Sequence, residues 1–390
     1  MGNRSAGRVL VLDGLWNKTV AVVRSFGERG FFVGVGERTR LAPAMFSRYC
    51  SRRFTYPSPA AYPERFLYAL EEELRAGRYE VLLVTEFSTQ AFIARHRRRV
   101  ESFARFPYAD EDLALRVHDK GALTSFAEAN GVACPATFFP TGPDDARDIA
   151  ERLPYPVLVK PRFSSGGRGI VRAENSRDLA AAYGRVHARY PAPIIQECIP
   201  RGGDALGVAV LMNRSSIPRA SFVYRRLREY PVGGGPSTLR ESIASDGLRR
   251  TAEGLLSAIG WVGVAMTEFR VDPRDGEPKL LEVNPRFWGS LNHAIVCGVD
   301  FPYLLYVMAM EGDVELQREY RVGIRSRSLL HGEILHFARN PERFRLKPGL
   351  TDFSIPDDLL SFSDPWPVVG RISSLIPAIY DRELREAMFG

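Results

Sequence analysis

The sequence predicts a chain in two parts, an α/β unit with a parallel sheet followed by an α+β unit. The chain has 390 residues, and at roughly 150 residues per domain this length suggests two or three domains. Apolar strand segments alternate with helical segments over residues 1–115, whereas strands dominate residues 116–312. Hydrophobic residues make up 45% and charged residues 25%, which is an ordinary globular composition and excludes wholesale disorder.

The first unit, residues 1–115, has the strand–helix order of a Rossmann-like fold. Its predicted strands and helices occupy residues 8–12, 19–29, 31–35, 52–56, 62–76 and 81–84 in that order, the second and fifth being helices. Strands separated by helices predict a parallel sheet. Because ligands of such sheets bind at the carboxyl ends of the strands, we expect Asp13, Gly14 and Glu86 to lie near one.

The second unit, residues 116–312, lacks that regular alternation. Strands are predicted at 156–160, 194–198, 207–212, 264–271 and 279–284, and helices at 122–130, 178–190 and 247–259. Residues 313–390 carry Trp366 and several prolines, and we expect them to form a helical or irregular C-terminal appendage.

The charge pattern leaves two interpretations of one basic cluster. Lys and Arg total 53 against 46 Asp and Glu, a net charge of +7. The four arginines within residues 95–99 invite a nucleic-acid interpretation, but a solvated helix end is favoured, because no nucleic-acid-binding motif accompanies them. A mild positive balance also suits an enzyme with a polyphosphate substrate.

Cysteine, histidine and hydropathy patterns exclude several classes of protein. The four cysteines include no Cys-x-x-Cys pair, which excludes a zinc ribbon and gives no disulfide framework. His331 and His336 are five residues apart, so they do not share one face of a helix. No stretch of eighteen apolar residues occurs. We therefore expect a cytoplasmic protein without membrane or nucleic-acid partners.

A lysine and a small-residue loop follow the strand at 156–160. Lys160 ends the strand, and the loop residues Ser164, Ser165, Gly166 and Gly167 come directly afterwards. Glycines let backbone N–H groups approach an anion, and the hydroxyls add donors. The pattern is typical of a phosphate-binding loop, although a plain hairpin turn is the alternative.

Two glutamates are predicted to face each other across a hairpin. The strands at 264–271 and 279–284 flank a turn centred near residue 275, so residues whose numbers sum to about 550 are opposite. Glu268 then opposes Glu282, and Asn284 shares their face. An all-oxygen cluster of this kind favours magnesium, while a solvated face is the alternative.

These motifs together resemble the ATP-grasp superfamily, in particular its carboxylate–amine ligase-like members. The resemblance covers residues 118–312 and rests on five motifs in order: His118-Asp119-Lys120, residues 157–170, residues 195–199, residues 267–270 and residues 281–286. It implies a pre-ATP-grasp domain at 1–115 and a two-lobed ATP-grasp core at 116–312. The small ATP-binding lobe would span about 120–200 and the larger lobe about 201–312.

The resemblance also implies roles for individual residues. The nucleotide contacts would be Lys120, Lys160, the mobile loop Ser164, Ser165, Gly166 and Gly167, the hinge Glu197, Cys198 and Ile199, and Asp204 at the ribose. Glu268, Glu282 and Asn284 would bind two magnesium ions, with manganese as the alternative metal. Arg286 would stabilise the transferred phosphoryl group or the acceptor carboxylate.

A further stretch, residues 224–241, combines arginines with a Gly233–Gly235 run. Similar stretches occur in this branch of the superfamily, and we interpret it as an acceptor-facing or phosphate-facing loop with Arg226 as the main contact. An exposed basic loop is the alternative.

The activity that the resemblance implies is an ATP- and Mg²⁺-dependent carboxylate–amine ligase acting through an acyl phosphate. Arg286, Lys160 and Arg226 would be its catalytic residues, and the partners would be ATP with amino-acid-like carboxylate and amine substrates. Bicarbonate or a thiol as the second reactant, and a non-catalytic nucleotide-binding module, are the alternatives. A homodimer is the common assembly of soluble enzymes.

Overall fold

The computed structural model describes residues 6–164, 166–232 and 234–389. The N-terminal part is a parallel sheet with the strand order β3-β2-β1-β4. Its strands and helices are β1 (Arg8–Leu12), α1 (Asn17–Gly27), β2 (Phe32–Glu37), α2 (Pro43–Phe46), β3 (Arg52–Thr55), α3 (Pro63–Gly77), β4 (Val81–Val84), α4 (Phe87–Arg95) and α5 (Arg97–Glu101). The sheet order and the helical crossovers confirm the predicted parallel α/β unit.

Burial explains why these segments fold as they do. Val9 to Leu12 of the central strand β1 are fully buried, and so is all of the edge strand β4, because helices cover both faces of a parallel sheet. In α3 the buried residues Phe66, Leu67, Leu70 and Leu74 follow helical spacing and turn one apolar stripe to the sheet. Each such side chain contributes about 1.5–3 kcal/mol through burial.

The small lobe that follows is a four-stranded sheet with the order β5-β8-β6-β7. Its elements, after α6 (Glu111–His118) and α7 (Lys120–Ala129), are β5 (Thr137–Phe138), α8 (Pro143–Asp148), β6 (Val157–Lys160), β7 (Val171–Ala173), α9 (Ser176–Arg189) and β8 (Ile194–Glu197). The Asp119 carboxylate caps α7 by accepting from the Gly121 and Ala122 N–H groups at 2.9 and 3.3 Å. The cap places Lys120 in the first turn of that helix.

The large lobe is a six-stranded antiparallel sheet with the order β13-β12-β9-β10-β11-β14. Its strands and helices are β9 (Ala205–Met212), β10 (Pro218–Glu229), β11 (Ser237–Ser242), α10 (Asp246–Ala258), β12 (Gly263–Val271), β13 (Pro278–Asn284), α11 (Leu291–Cys297) and α12 (Phe301–Glu311). One face packs on α6, α7 and α10 through a core that includes Val208, Val210 and Phe269.

The other face of the large sheet is divided. Near one end of the strands, Ala209, Phe222 and Met266 join the same hydrophobic core as the N-terminal sheet. Toward the other end, the side chains on this face are charged, as described below. The apolar half fixes the N-terminal unit against the large lobe and leaves the polar half for a site.

Residues 313–390 add β14 (Arg325–Arg327), α13 (Ile334–Arg339), α14 (Trp366–Ser373), α15 (Leu375–Tyr380) and α16 (Arg382–Phe389). β14 pairs with β11 in the large sheet, and α14 packs on α2 of the N-terminal unit. The buried Arg24 also donates from Nη2 to the Leu359 and Asp364 carbonyls at 2.7 and 2.8 Å. The segment therefore contacts both units.

The structure corrects the prediction that residues 224–241 form a flexible loop. Residues 224–229 belong to β10 and residues 237–241 to β11, and the two strands pair antiparallel with Arg226 opposite Arg240. Only the short connection between the strands remains a turn. The strands were not recognised in the sequence, because the partners of these arginine side chains lie far away along the chain.

Two of the arginines at 95–99 have acidic partners on neighbouring helices. Arg95 forms a bidentate pair with Glu111, the shortest contact being 2.6 Å, and Arg99 contacts Glu64 and Glu71. Across the described ranges, no single helix is long and apolar enough to cross a membrane. Helices α11 and α12 taken together are long and apolar enough, by length and composition only, and are bent by 85° relative to each other.

Candidate active site

The paired acids of the β12–β13 hairpin form the centre of the site. Glu268 is registered opposite Glu282, and Met266 opposite Asn284, which confirms the predicted register. The Asn284 side-chain amide donates to Glu268 Oε1 at 3.1 Å and to Glu282 Oε1 at 3.2 Å. The three predicted metal ligands therefore lie together on one face.

Each carboxylate is contacted by a different cation. Lys120 Nζ lies 3.0 Å from Glu282 Oε2, and Arg226 Nη2 lies 2.5 Å from Glu268 Oε2. Burial raises the pKa of Glu282, but Lys120 and Lys160 outweigh burial and lower this pKa to about 2. Burial raises the pKa of Glu268 above its usual range, with the neighbouring Glu282 charge adding to the effect. The two acids thus have distinct protonation behaviour.

Strand β9 makes room for this charged face. Gly207 lies between Glu268 on one side and Tyr224 on the other, and Ala205 lies between Arg270 and Arg226. A Cβ atom on Gly207 would stand 2.4 Å from the Tyr224 ring. Because paired residues share a face of a sheet, the small residues Ala205 and Gly207 leave room on this face for the Tyr224 ring and for the contact between Arg226 and Glu268.

Two lysines approach the acids from the small lobe. Lys160 Nζ donates to Gln196 Oε1 at 2.5 Å, and Lys120 Nζ donates to the Ser164 carbonyl at 2.6 Å. Burial and the nearby Lys120 charge lower the pKa of Lys160 to about 8. Both lysines are thus held in the core of the site, as polyphosphate ligands would require.

The small-residue loop joins β6 to β7 beside Lys120. Gly166 and Gly167 adopt φ angles of 66° and 79°, and a Cβ at either would meet no atom within 4 Å. These conformations favour glycine. The Ser164 hydroxyl is buried with no hydrogen-bond partner in the described ranges. Ser165 lies outside the residues that the structure describes.

The predicted hinge is partly engaged by the protein itself. The N–H groups of Glu197 and Cys198 donate to the carbonyls of Ala136 and Pro156 at 2.8 and 3.0 Å, and the Glu197 carboxylate pairs with Arg274. These two N–H groups are therefore not free to read an adenine edge, which leaves the carbonyls and the Ile199 backbone for that role. Asp204 is more than half exposed.

Arg286 connects the large lobe to the N-terminal unit. Its Nη1 donates to the Phe287 carbonyl at 2.9 Å, and Lys18 Nζ donates to the same oxygen at 3.3 Å. Lys18 also pairs with Glu86. Burial raises the pKa of Glu86, but Lys18 and then Arg286 lower it below its usual value. Three charges from two units therefore converge at one point.

Asp13 organises this point and does not face it. Its carboxylate accepts from the Thr85 N–H at 3.0 Å, the Glu86 N–H at 2.7 Å and the Thr89 hydroxyl at 2.7 Å. Asp13 thereby fixes the loop that presents Glu86. We expected Asp13 to lie near a ligand, and in the structure its carboxylate positions the loop that carries Glu86. Lys18 was not predicted as a site residue. Its position in the first turn of α1, the helix that follows β1, was the feature of the sequence that could have identified it.

The site brings paired acids and lysines together between two lobes of the chain. A family model described as "ATP-grasp domain" matches residues 117–290, so this part of the chain is similar to that family. The C-terminal section of the carbamoyl phosphate synthase large chain from Methanopyrus kandleri is 24% identical over 212 residues, covering 52% of this chain and 39% of that protein.

Solved structures share the fold over most of the chain. Biotin carboxylase from Campylobacter jejuni matches with a TM-score of 0.68 and 17% identity, covering 82% of this chain and 74% of that one. L-amino acid ligase from Bacillus licheniformis matches with a TM-score of 0.61 and 18% identity, covering 80% and 76%. The chain spans less than half the length of the curated relatives that it matches.

Proposed function

We propose that this chain is an ATP- and Mg²⁺-dependent carboxylate–amine ligase that forms an amide or peptide bond through an acyl phosphate. The observation that carries the proposal is the convergence of Glu268, Glu282 and Asn284 with Lys120 and Lys160 between the lobes of an ATP-grasp domain. Such a set neutralises and orients a polyphosphate, which is the main task of phosphoryl-transfer catalysis.

The nucleotide would lie beside the paired acids, between the small and large lobes. Lys120 and Lys160 are proposed to contact its phosphates, with Ser164, Gly166 and Gly167 closing over them. Ser165 belongs to the same loop in the sequence and is proposed, from the sequence alone, to contact the nucleotide. The backbone of the Glu197–Ile199 hinge would hold the adenine, and Asp204 the ribose.

The acids fit a magnesium site by their chemistry. The Asn284 amide nitrogen contacts both carboxylates on the adjacent strands, and the carboxylate oxygens with the amide oxygen would supply the hard donors that Mg²⁺ prefers. When bound, magnesium would neutralise charge on the phosphate oxygens; two ions are proposed, with Mn²⁺ as an alternative. Lys120 and Arg226 hold the same carboxylates in position.

The acceptor half of the site would be formed where the two units meet. Arg286 is proposed to hold the acceptor carboxylate or the transferred phosphoryl group, because a guanidinium suits either. Glu86 is ionised at neutral pH, and more than a quarter of its side chain is exposed. We therefore assign it to the ammonium group of an amino-acid-like substrate, with Lys18 as its partner in the free protein.

The proposed reaction has two steps that balance. A carboxylate oxygen of the acid attacks the γ-phosphorus of ATP, an O–P bond forms, and the bond to ADP breaks. The amine nitrogen then attacks the carbonyl carbon, and the C–O bond to phosphate breaks. One proton leaves the nitrogen, and amide, ADP and phosphate are the products. Exclusion of water by the loop would protect the acyl phosphate from hydrolysis.

A second candidate keeps the same first step with bicarbonate as the acid. The similarity of fold to biotin carboxylase motivates it. The two candidates differ at the acceptor, because bicarbonate needs no anchor for an ammonium group. The Glu86 carboxylate beside Arg286 therefore favours the carboxylate–amine ligase.

Hydroxamate formation tests the proposal. Purified protein, Mg²⁺-ATP and hydroxylamine are incubated with pools of amino acids and other carboxylates, since hydroxylamine intercepts acyl phosphates without the natural amine. A hydroxamate signal with one pool and its loss in Glu282→Gln would support the ligase. Phosphate release that depends on bicarbonate, with no hydroxamate from any pool, would favour the second candidate. Absence of Mg²⁺-dependent nucleotide binding would contradict both.

A further inference from the structure

Helices α14 and α15 expose a continuous apolar face near the end of the chain. Its members recur at three- and four-residue intervals as far as Ile379, which Tyr380 follows directly, and are between 43% and 76% exposed: Trp366, Val369, Ile372, Ile376, Ile379 and Tyr380. We name this set the C-terminal stripe. Single exposed apolar residues are normal, but a contiguous patch of large ones marks an interaction surface.

The buried face of α14 is the more polar one. Gly370 sits so close to α2 that a Cβ on it would stand 2.7 Å from Pro43 Cα. Arg371 is buried and donates to Asn17 Oδ1 at 2.7 Å, and Ser374 is fully buried. A surface helix normally turns its apolar side inward. Here the close packing at Gly370 fixes the opposite orientation, so rotation cannot hide the stripe.

The size of the stripe matches a stable protein interface. Its six side chains expose on the order of 700 Å² of apolar surface per chain, given about 150–250 Å² for a whole aromatic side chain. A standard interface buries about 800 Å² on each partner. Phe362 is fully exposed just before α14 and extends the apolar surface further.

We propose that the C-terminal stripe is the contact surface between two copies of this chain. A surface that meets its own copy about a twofold axis must complement itself. The charges that follow the stripe are of both signs, with Arg382 and Arg385 beside Glu383 and Glu386. Glu383 already pairs with Arg38, and Arg382 with Glu386, so these residues add no excess charge of either sign beside the stripe. A lipid surface would instead favour an excess of basic residues beside the apolar face, which these four residues do not provide.

Sedimentation velocity of the full chain at micromolar concentration tests the proposal. We expect a species of twice the 43.7 kDa chain mass. Ile376→Asp and Ile379→Asp place a charge at the centre of the apolar contact in both copies. Each should raise the dimer dissociation constant by at least about 100-fold and give a monomer. Circular dichroism should show unchanged folding, and the milder Ile376→Ser/Ile379→Ser double variant replaces any variant that misfolds.

Ile217→Asp is the matched control, since Ile217 is 47% exposed in the turn between β9 and β10, away from the stripe. It should remain a dimer. A monomeric wild-type chain would overturn the proposal, and so would a dimer that persists in the stripe variants. Co-sedimentation of the wild type with phosphatidylcholine–phosphatidylserine vesicles, lost in Ile376→Asp, would assign the stripe to a membrane instead. None of these measurements depends on ligase activity.

Discussion

Arg226 on β10 reaches across β9 to contact Glu268 on β12, with Nη2 and Oε2 separated by 2.5 Å. The contact passes over Ala205 and Gly207, the small residues that β9 turns to this face. Both partners are largely buried. The pair thus joins the strand that carries the acids to the strand that carries the arginines, beside the proposed nucleotide site.

Removing the arginine should leave a buried and unpaired carboxylate. Arg226→Ala is expected to lower the free energy of unfolding by about 3 kcal/mol, because breaking a buried ion pair leaves one charge uncompensated. Urea unfolding without nucleotide measures this loss. The Arg226→Ala/Glu268→Gln double variant should recover part of it, since it removes the orphaned charge. Strictly additive losses in the double variant would contradict the pairing.

Neutralising Glu282 should stop turnover without unfolding the protein. Glu282→Gln keeps the shape of the side chain but removes a charge that Lys120 contacts at 3.0 Å. We expect Mg²⁺-dependent ATP turnover to fall by at least about 100-fold. Glu277→Gln, an exposed acid in the same hairpin turn, is the control and should leave the rate unchanged. Equal rates for wild type and Glu282→Gln would remove Glu282 from the proposed metal site.

Nucleotide binding should draw a proton onto Lys160. Its pKa is lowered from 10.5 to about 8 by burial and then by Lys120, so at about pH 8.5 most of the free protein has this lysine neutral. Phosphate contact favours the charged form. Calorimetry in buffers of different ionisation enthalpy should therefore detect uptake of about 0.7 proton on Mg²⁺-ADP binding.

The same lysine makes folding stability depend on pH. The unfolded chain binds this proton up to pH 10.5 and the folded chain only up to about 8, so the contribution of Lys160 to stability rises with pH between these values.

Lys160→Met should abolish the proton uptake and weaken ADP binding. Lys18→Met is the control, because the pKa of Lys18 is also lowered to about 8 but Lys18 lies on the acceptor side. Uptake that survives in Lys160→Met would contradict the assignment.

Glu86 should govern the acceptor and not the nucleotide. Glu86→Gln is expected to raise the KM of an amino-acid substrate by at least about tenfold, because a charge-assisted hydrogen bond to its ammonium group is lost. In the same variant the dissociation constant of Mg²⁺-ADP should stay within about twofold of wild type, because solvent and salt screen charges that are far apart. Asp112→Asn on α6 serves as the control. A change confined to nucleotide affinity would place Glu86 in the wrong half-site.

The sequence was most informative where chemistry is local. The Asp272–Gly276 turn set the register of its hairpin, and so the face shared by Glu268 and Glu282, before any contact was known. β1 and β4 were predicted at their observed bounds because short buried strands between turn signals are unambiguous. Lys160 was predicted from its place at the end of a strand before a small-residue loop, and Lys120 from the family resemblance.

Long-range partners could not be predicted in the same way. Arg226 and Glu268 are separated by 42 positions, and Arg228 and Glu333 by 105, so no periodicity connects them. Without those partners, the arginines of β10 suggested an acceptor-facing or phosphate-facing loop. The role of Asp13 was equally hidden, because its three donors come from the loop after β4 and not from its own strand.

Transfer of oxygen-18 from the acid to phosphate tests the central claim most directly. The carboxylate identified by hydroxamate formation is labelled with ¹⁸O and incubated with Mg²⁺-ATP, the amine and the protein. If the carboxylate attacks ATP, one labelled oxygen bridges carbon and phosphorus and departs with the phosphate. The account predicts one ¹⁸O atom in each phosphate released. Unlabelled phosphate alongside labelled amide would contradict acyl-phosphate formation.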